Sequence, residues 1–177
     1  MKKFLNIGSG KDYKKSSESV DWVNLDFNSD YKVDVKHNLD KFPYPFKKEE
    51  FDLVYCSHIL EHVEDLMKTL KELVRVTKKG GIIHIRVPHF SNGIGYNDPT
   101  HKRFFGWFTF EHLINGYMGE KLNLKIVKRR YNFLSVEHAI ANTTCSWFYN
   151  IIPKMMYERF LCWIFPVGEI ELKLKVI

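Results

Sequence analysis

A glycine-rich turn near the start of the chain and an aspartate further along could together bind a nucleotide-type ligand. The apolar residues 4–7 run into Gly8-Ser9-Gly10, where two residues without a Cβ permit a sharp turn and the close approach of a ligand. Asp26 ends the next apolar run, sixteen positions after Gly10, and a carboxylate there can accept hydrogen bonds from both hydroxyls of a ribose. Each feature alone also fits an ordinary turn. The strands and helices predicted around them must therefore indicate whether they form a ligand site.

Short apolar runs separated by longer links predict a parallel sheet over the first half of the chain. The predicted strands cover residues 4–7, 22–26, 31–35, 51–55 and 82–87. A helix is predicted over residues 64–77, where the leucines fall on one face, with Gly80-Gly81 as its end. The link of residues 11–21 has no apolar face, so we predict a loop or a single helical turn in place of the first crossover helix.

The second half of the chain has a less regular pattern. The predicted elements are an irregular segment over residues 89–105, a short helix capped by Thr109 and ended by Gly116, a sixth strand over residues 124–131, a helix over residues 147–165 broken near Pro153, and a last strand over residues 169–176. Apolar and charged residues alternate along the last strand, which predicts one solvent-exposed face and a position near an edge or in an antiparallel pair.

Composition bounds the class of protein. The 177 residues fit one domain, and the net charge of +6 suits either an anionic partner or, as we prefer, a lysine-rich solvated surface. Cys56, Cys145 and Cys162 form no CxxC pair or disulfide framework, which with the lack of a signal peptide predicts a cytoplasmic protein. Charged residues and a proline interrupt the apolar residues 147–167, so we expect no transmembrane span.

Several of these stretches, in this order, resemble one known family. They are Leu5-Asn6-Ile7-Gly8-Ser9-Gly10, Trp22-Val23-Asn24-Leu25-Asp26, Asn38-Leu39, the run from Phe51 to His62, and Lys79-Gly80-Gly81. Together they look like a class I S-adenosylmethionine-dependent methyltransferase of the small methyltransferase type 11 group. The resemblance implies an α/β, Rossmann-like fold with a seven-stranded, mostly parallel sheet and an antiparallel last strand. It also implies one domain over residues 1–177, with a cofactor half (4–90) and an acceptor half (91–177).

The same resemblance implies which residues bind S-adenosylmethionine. They are Asn6, Gly8, Ser9, Gly10, Asp26, Phe27, Asn38, Leu39, Cys56 and Ser57. The glycine turn would pass under the methionine and ribose, Asp26 would hold the ribose hydroxyls, and Phe27 would pack on the adenine. Asn38 and Leu39 would meet the adenine edge, and Cys56 and Ser57 would line the methionine end. Asn6 and Asn38 stand where the family usually or often has an acidic residue, and an amide carbonyl can still accept a hydrogen bond there.

A nicotinamide dinucleotide is the competing ligand for this turn. Its G-x-G-x-x-G fingerprint needs a third glycine where this chain has Tyr13, and it needs a helix N-terminus for the pyrophosphate. S-adenosylmethionine has no phosphate, so the loop predicted for residues 11–21 favours the methyl donor.

Methyl transfer is an in-line displacement, and a hydroxyl acceptor must also lose a proton. The candidate bases at the carboxyl edge of the sheet are His58, His62, His89 and His101. We favour His101 as the base, with Asp98 orienting it or closing its loop, and His58 as second choice. A loop histidine bonded to the backbone is an equal alternative for His101. We expect no metal, because only His58 and His62 have i, i+4 spacing, and both belong to the family motif.

The acceptor is less constrained by sequence. Members of this group often accompany surface-glycan biosynthesis, so we predict O-methylation of a glycan or small molecule. The basic Lys125, Lys128, Arg129 and Arg130 form no known nucleic-acid motif and are predicted to be a solvated sheet face. Aromatic residues over 147–165 could form a lid, a homodimer contact or a peripheral lipid contact. A cofactor-binding protein without catalysis, or an activating subunit of another methyltransferase, is the alternative function.

Overall fold

The computed structural model describes residues 1–117, 119–134 and 139–177, and the side chains of all of these except 139–144. One seven-stranded sheet crosses the molecule. Its strands are β1 (Lys2–Ile7), β2 (Val20–Asp26), β3 (Val35–Lys36), β4 (Phe51–Ser57), β5 (Thr77–Pro88), β6 (Leu124–Asn132) and β7 (Glu169–Val176). The order is β3-β2-β1-β4-β5-β7-β6. The first five strands are parallel and β7 is antiparallel to both its neighbours, which confirms the predicted fold class.

Helices connect and cover the strands. They are α1 (Leu66–Val76), α2 (Ile94–Asn97), α3 (Thr109–Ile114), α4 (Ala139–Ile151) and α5 (Lys154–Met156), which runs into a π-helical turn (Tyr157–Leu161). The break near Pro153 between α4 and α5 is as predicted, but α4 begins at Ala139, before the predicted start at Trp147, and the helical turns end at Leu161, before the predicted end at Phe165. Among the described residues, no helix is both long and apolar enough to cross a membrane.

The first crossover is a loop, as the sequence predicts, and two buried asparagines hold it in place. The Asn24 amide donates to the Lys14 carbonyl (2.9 Å) and accepts from the Lys14 N–H (2.8 Å). The Asn6 amide donates to the Asp12 carbonyl (2.7 Å) and to Asn24 Oδ1 (3.1 Å). Side-chain amides therefore supply the hydrogen bonds that a crossover helix would make internally.

The end of α1 differs from the prediction. The helix ends at Val76, and Thr77 begins β5 by pairing with Phe51. Gly80 and Gly81 lie inside this strand, where the pairing with β4 shifts register between Phe51 and Leu53. Gly80 has φ +79°, and a Cβ on Gly81 would lie 2.8 Å from the Lys78 carbonyl. The glycines thus form an irregularity in a long strand and do not end the helix.

Three other local predictions need correction. The strand predicted over residues 31–35 is reduced to Val35–Lys36, because the Asp34 carboxylate accepts from the Asn24 backbone and amide in place of regular pairing. Thr109 is the first helical residue, and its Oγ1 accepts from the Gly106 N–H (2.9 Å), so Phe108 holds the N-cap position. The irregular segment after β5 contains the single turn of α2.

The last strand is antiparallel, as predicted, and it is the second strand from one edge of the sheet, between β5 and β6. Its charged face is only partly wet, because Glu169 and Glu171 are both buried. Arg86 and Asn132 bond Glu169, and His84 and Arg130 bond Glu171. The alternation of apolar and charged residues along β7 fits both a solvated face and a row of buried ion pairs. Only the pairing of β7 with β5 and β6 distinguishes them, because the partners of the glutamates lie on those strands.

Candidate functional site

The turn after β1 has the geometry that close ligand approach requires. Gly8 has φ +64° and Gly10 has φ +47°, both in the left-handed region that favours glycine. A Cβ on Gly8 would lie 2.5 Å from Ile59 Cγ1, whereas a Cβ on Gly10 would meet nothing within 4 Å. Gly8 is therefore required by packing against Ile59, and Gly10 leaves free space above the turn.

Asp26 closes this turn from the end of β2. Its Oδ2 accepts from the Gly10 N–H (2.8 Å) and its Oδ1 accepts from the Asn28 N–H (2.9 Å). These two bonds fix the carboxylate and leave lone pairs on both oxygens. The Asp26 side chain also lines a cavity, so a diol in that cavity could donate to it.

That cavity, which we call the turn-side cavity, has a volume of about 180 Å³. It holds five of the predicted cofactor residues on its walls: Gly8, Asp26, Phe27, Asn38 and Leu39. Phe27 is 66% exposed and offers a free aromatic face at the rim. The size and the mixture of one carboxylate with apolar walls suit a flat heterocycle joined to a ribose.

The other predicted cofactor residues lie elsewhere. Asn6 is buried under the turn with its amide in the crossover loop, and Ser9 is buried with its N–H bonded to the Leu25 carbonyl. Cys56 points into the core, and burial raises the pKa of its thiol. Ser57 Oγ accepts from Arg86 (3.3 Å). None of these side chains lines a described cavity, so their roles at the cofactor stay predictions.

A second, larger cavity of about 640 Å³ opens at the carboxyl ends of β4 and β5 and the amino end of the antiparallel β7, and we call it the edge cavity. Its ionisable lining residues are His58, Glu61, His62, Asp98, His101 and Glu169. His62 also lines the turn-side cavity and a third cavity of about 560 Å³ that contains Phe27 and His58. The three cavities therefore share walls, and His62 stands where they meet.

His58 is held between two glutamates. Its Nε2 lies 3.0 Å from Glu169 Oε2 and its Nδ1 lies 3.5 Å from Glu61 Oε1. Burial acts to lower the pKa of His58, but the hydrogen bond to Glu169 and the nearby carboxylate of Glu61 outweigh it and raise the pKa to about 9. Because both ring nitrogens face carboxylates, this histidine has no free lone pair for an acceptor proton.

His101 has a free ring nitrogen. Its Nδ1 donates to the Gly95 carbonyl (2.8 Å), which leaves the Nε2 lone pair unbonded. Asp98 Oδ2 lies 3.8 Å from that Nε2, too far for a hydrogen bond. Asp98 instead accepts from the Thr100 hydroxyl (2.6 Å), which itself accepts from His62 Nδ1 (2.9 Å). Asp98 therefore contacts His62 through Thr100. Its carboxylate also accepts from the Thr100 N–H (2.8 Å) and its carbonyl from the His101 N–H (3.2 Å), bonds of the kind expected if Asp98 closes the loop that carries His101.

Glu61 is the residue that the sequence analysis did not single out. It is fully buried, and neither carboxylate oxygen has a hydrogen-bond partner among the described residues. Its Oε1 lies 4.0 Å from His101 Nε2. Ligand-capable atoms of Glu61, His62 and His101 all lie within 4.8 Å of one another. Separation in sequence concealed this cluster, since His101 follows His62 by 39 positions.

Four hydrogen bonds from Lys102 and Arg103 hold the two segments of this cluster together. The Lys102 N–H donates to the Glu61 carbonyl (2.9 Å). Arg103 donates to the carbonyls of Leu60 (3.0 Å) and Glu64 (2.9 Å), and also to that of Val63. These bonds fix residues 98–103 against residues 58–64, so the site rests on paired backbone and not on a free loop.

His89 and the basic strand lie apart from the cavities. His89 is fully buried between aromatic rings, with Nε2 on Glu158 (3.2 Å), and burial lowers its pKa. Arg129 stacks on Trp107 (4.2 Å from Cζ to the ring centre) and Arg130 bonds Glu171 (2.6 Å). The predicted solvated basic face is therefore half engaged in protein contacts.

Comparison with known proteins identifies a family model and several similar folds. Residues 12–85 match the family model described as a methyltransferase domain. A search of curated protein sequences finds no match to this chain.

Solved structures match nearly the whole chain. An S-adenosylmethionine-dependent methyltransferase from Archaeoglobus fulgidus is 20% identical with a TM-score of 0.65, over 98% of this chain and 86% of that one. A complex between the Trm112 methyltransferase activator of Haloferax volcanii and a candidate methyltransferase is 15% identical, with a TM-score of 0.64 over 99% and 82% of the two chains. A candidate methyltransferase from Bacillus halodurans is 17% identical, with a TM-score of 0.62 over 98% and 92%.

Proposed function

We propose that the chain is a class I S-adenosylmethionine-dependent methyltransferase, which uses S-adenosylmethionine to methylate a hydroxyl group of a small-molecule or glycan acceptor. The match of residues 12–85 to the methyltransferase domain model and the shared fold support this proposal. The cofactor would lie with its adenosine in the turn-side cavity and its methionine towards His58 and His62. The acceptor would occupy the edge cavity on the other side of His62.

The observation that carries this proposal is the shared wall between the turn-side and edge cavities. In-line transfer requires the acceptor atom, the methyl carbon and the sulfur to lie on one line. Two cavities that meet at His62 allow a sulfonium and an acceptor to face each other there. The edge cavity also offers imidazole and carboxylate groups, which suit an acceptor that must lose a proton.

The reaction itself would form an O–CH₃ bond as the S–CH₃ bond breaks, and the sulfur would keep the electron pair. A hydroxyl acceptor would give up its proton on the edge-cavity side. Of the two predicted bases, only His101 has a free lone pair directed at this cavity. We therefore assign the handling of the acceptor proton to the surroundings of His101 and not to His58.

Calorimetry tests the cofactor part of the proposal. We expect S-adenosylmethionine and S-adenosylhomocysteine to bind and NAD not to bind. The Asp26→Asn change should weaken binding of both sulfur nucleosides by about tenfold or more, because a hydrogen bond to a charged group is lost. Asp21→Asn is the matched control, since Asp21 lies near the other end of the same strand.

Unchanged affinity in the Asp26→Asn protein would contradict the assigned ribose site. Failure of the wild-type chain to bind either sulfur nucleoside would overturn the function as a whole. Because Asp26 also accepts two backbone bonds, unfolding of the variant is measured in parallel.

A second function, dependence on or activation of a partner methyltransferase, is supported by one neighbour and one surface. The Haloferax volcanii structure is a complex with a methyltransferase activator. In this chain, large apolar side chains of the last helices and of the turn that follows them are exposed: Trp147, Ile151, Phe160, Trp163, Ile164 and Phe165. We call this set the C-terminal apolar surface. A partner that covers it, or a second copy of the chain, would remove apolar area from water.

A further inference from the structure

We propose that Glu61, His62 and His101 bind a divalent transition-metal cation in the wall of the edge cavity. This inference deepens the proposed function and rests on it for its catalytic consequence. Two imidazoles and one carboxylate are a donor set typical of first-row divalent metals. Their ligand-capable atoms lie within 4.8 Å of one another, which is close enough for the three groups to share one ion.

The first step of the argument is the buried carboxylate. Glu61 is fully buried, and both oxygens lack a hydrogen-bond donor among the described residues. A buried carboxylate without donors is strongly disfavoured in an apolar interior. The nearest basic group, His58 Nδ1, lies 3.5 Å away and is shared with Glu169 through the other ring nitrogen. A cation beside Glu61 would satisfy this carboxylate.

The second step is the orientation of the two histidines. In metal sites, a ligating histidine usually donates its other ring N–H to a carbonyl, a carboxylate or a similar acceptor. His101 donates Nδ1–H to the Gly95 carbonyl, and His62 donates Nδ1–H to Thr100, which passes the bond to Asp98. Neither Nε2 atom has a hydrogen-bond partner among the residues that the structure describes, and the Nδ1 bonds hold both rings in place.

The third step is the space around His101 Nε2. This nitrogen lies 4.0 Å from Glu61 Oε1 and 3.8 Å from Asp98 Oδ2. Those distances are too long for hydrogen bonds, and they leave a gap between one nitrogen lone pair and two carboxylates. A cation with bonds of about 2.1 Å fits a gap of this kind.

The position of the cluster gives the cation a role. It lies in the wall of the edge cavity beside His62, where the proposed acceptor would meet the methyl donor. A coordinated hydroxyl loses its proton more readily, and that proton would pass to solvent. The oxygen pair would then form the O–CH₃ bond while the S–CH₃ pair stays on sulfur. His101 thus acts on the acceptor through the cation and not as a direct base.

The choice of metal follows from the ligands. Imidazole favours zinc, cobalt and nickel over magnesium, which prefers an all-oxygen shell. We therefore expect Zn²⁺ and Co²⁺ to bind more tightly than Mg²⁺. Cobalt is also the most informative probe, because its visible absorption changes when nitrogen ligands replace water.

The test is a titration of the chelator-treated full chain with Co²⁺ and Zn²⁺, without S-adenosylmethionine. We expect one cation per chain, with new visible bands for Co²⁺. His62→Gln, His101→Gln and Glu61→Gln should each weaken binding tenfold or more. His112→Gln is the matched control, because His112 lies outside the cluster, in α3 against Tyr117. Circular dichroism of each variant ensures that the loss is not unfolding.

Two results would overturn the site: no binding of either ion by the wild-type chain at millimolar concentration, or binding that the three variants leave unchanged. Binding of S-adenosylmethionine and methyl transfer are measured separately, with and without chelator. Transfer that persists at full rate in chelator would overturn the catalytic role of the cation and leave the methyltransferase function standing. Cation binding without S-adenosylmethionine binding would instead overturn the proposed function and leave the site standing.

Discussion

At the scale of single residues, the contact between Gly8 and Ile59 links the two halves of the candidate site. Ile59 packs on Gly8 so closely that any side chain there would overlap it. Ile59 also lies close in sequence to Glu61 and His62, which line the edge cavity. The glycine is therefore needed both for its backbone conformation and for the placement of the segment that carries Glu61 and His62.

This contact predicts a marked loss of stability in Gly8→Ala. The left-handed φ and the 2.5 Å approach to Ile59 Cγ1 should together lower the free energy of unfolding by about 2–4 kcal/mol. Chemical unfolding measures it, with Gly93→Ala as the control, because a Cβ there meets nothing and its φ is −56°.

In an Ile59→Ala background, Gly8→Ala should cause a smaller loss in the free energy of unfolding, because most of the overlapping atoms are gone. Part of the loss should remain, because the backbone strain at position 8 remains. A Gly8→Ala protein as stable as the wild type would show that the turn relaxes freely.

At the scale of elements, β7 joins the acceptor side to the sheet through buried charge. Glu171 accepts from His84 on β5 and from Arg130 on β6, so one carboxylate bonds both neighbouring strands. Hydrogen bonds from His84 are the main reason that the pKa of Glu171 is lowered, with Arg130 and Asn132 adding to it against the effect of burial. Glu169, which lines the edge cavity, likewise bonds His58, Arg86 and Asn132.

The lowered pKa of Glu171 predicts acid sensitivity. A carboxylate whose folded pKa is depressed stabilises the fold above its unfolded value of 4.5 and loses that contribution as the pH falls below it. Glu171→Gln should lower the free energy of unfolding by about 2 kcal/mol at pH 7, and its difference from the wild type should narrow by pH 3.

Urea unfolding between pH 7 and pH 3 measures this difference. Glu120→Gln is the control, since the Glu120 side chain is 69% exposed. A gap between wild type and Glu171→Gln that stays constant over the whole range would contradict the assigned pairing.

At the scale of the whole molecule, the C-terminal apolar surface is exposed and lines none of the described cavities. Phe160 and Ile164 are 68% and 67% exposed, and they are the clearest members to change without touching the core. A surface of this composition on a free chain favours contact with another apolar surface.

We expect the chain to self-associate through this surface. Phe160→Asp combined with Ile164→Asp should convert a concentration-dependent dimer to a monomer in sedimentation velocity, with S-adenosylmethionine binding unchanged. Tyr117→Asp alters an exposed aromatic outside the surface and serves as control. A wild-type chain that is monomeric at all concentrations would overturn the homodimer, and its sedimentation with lipid vesicles would then point to a peripheral lipid contact.

The amino-acid sequence by itself determined the sheet, the turn after β1 and the absence of the first crossover helix. These features depend on local signals: short apolar runs, glycines and a link with no apolar face. The same local signals gave a wrong end for α1. Gly80 and Gly81 favour a helix end locally, but Thr77 pairs with Phe51, so residues 77–81 belong to β5. The prediction that one face of β7 is exposed to solvent was only partly right for a related reason. Its glutamates are buried by partners on β5 and β6, which the sequence of β7 does not contain.

Only the tertiary structure decided how the ionisable residues are grouped. Sequence spacing paired His101 with Asp98, whereas the fold directs Asp98 to Thr100 and His62 and brings His101 next to Glu61. Residues 58–64 and 98–103 meet because Lys102 and Arg103 bond the carbonyls of Glu61 and its neighbours. Such contacts depend on the path of the whole chain, and no local pattern of residues contains them.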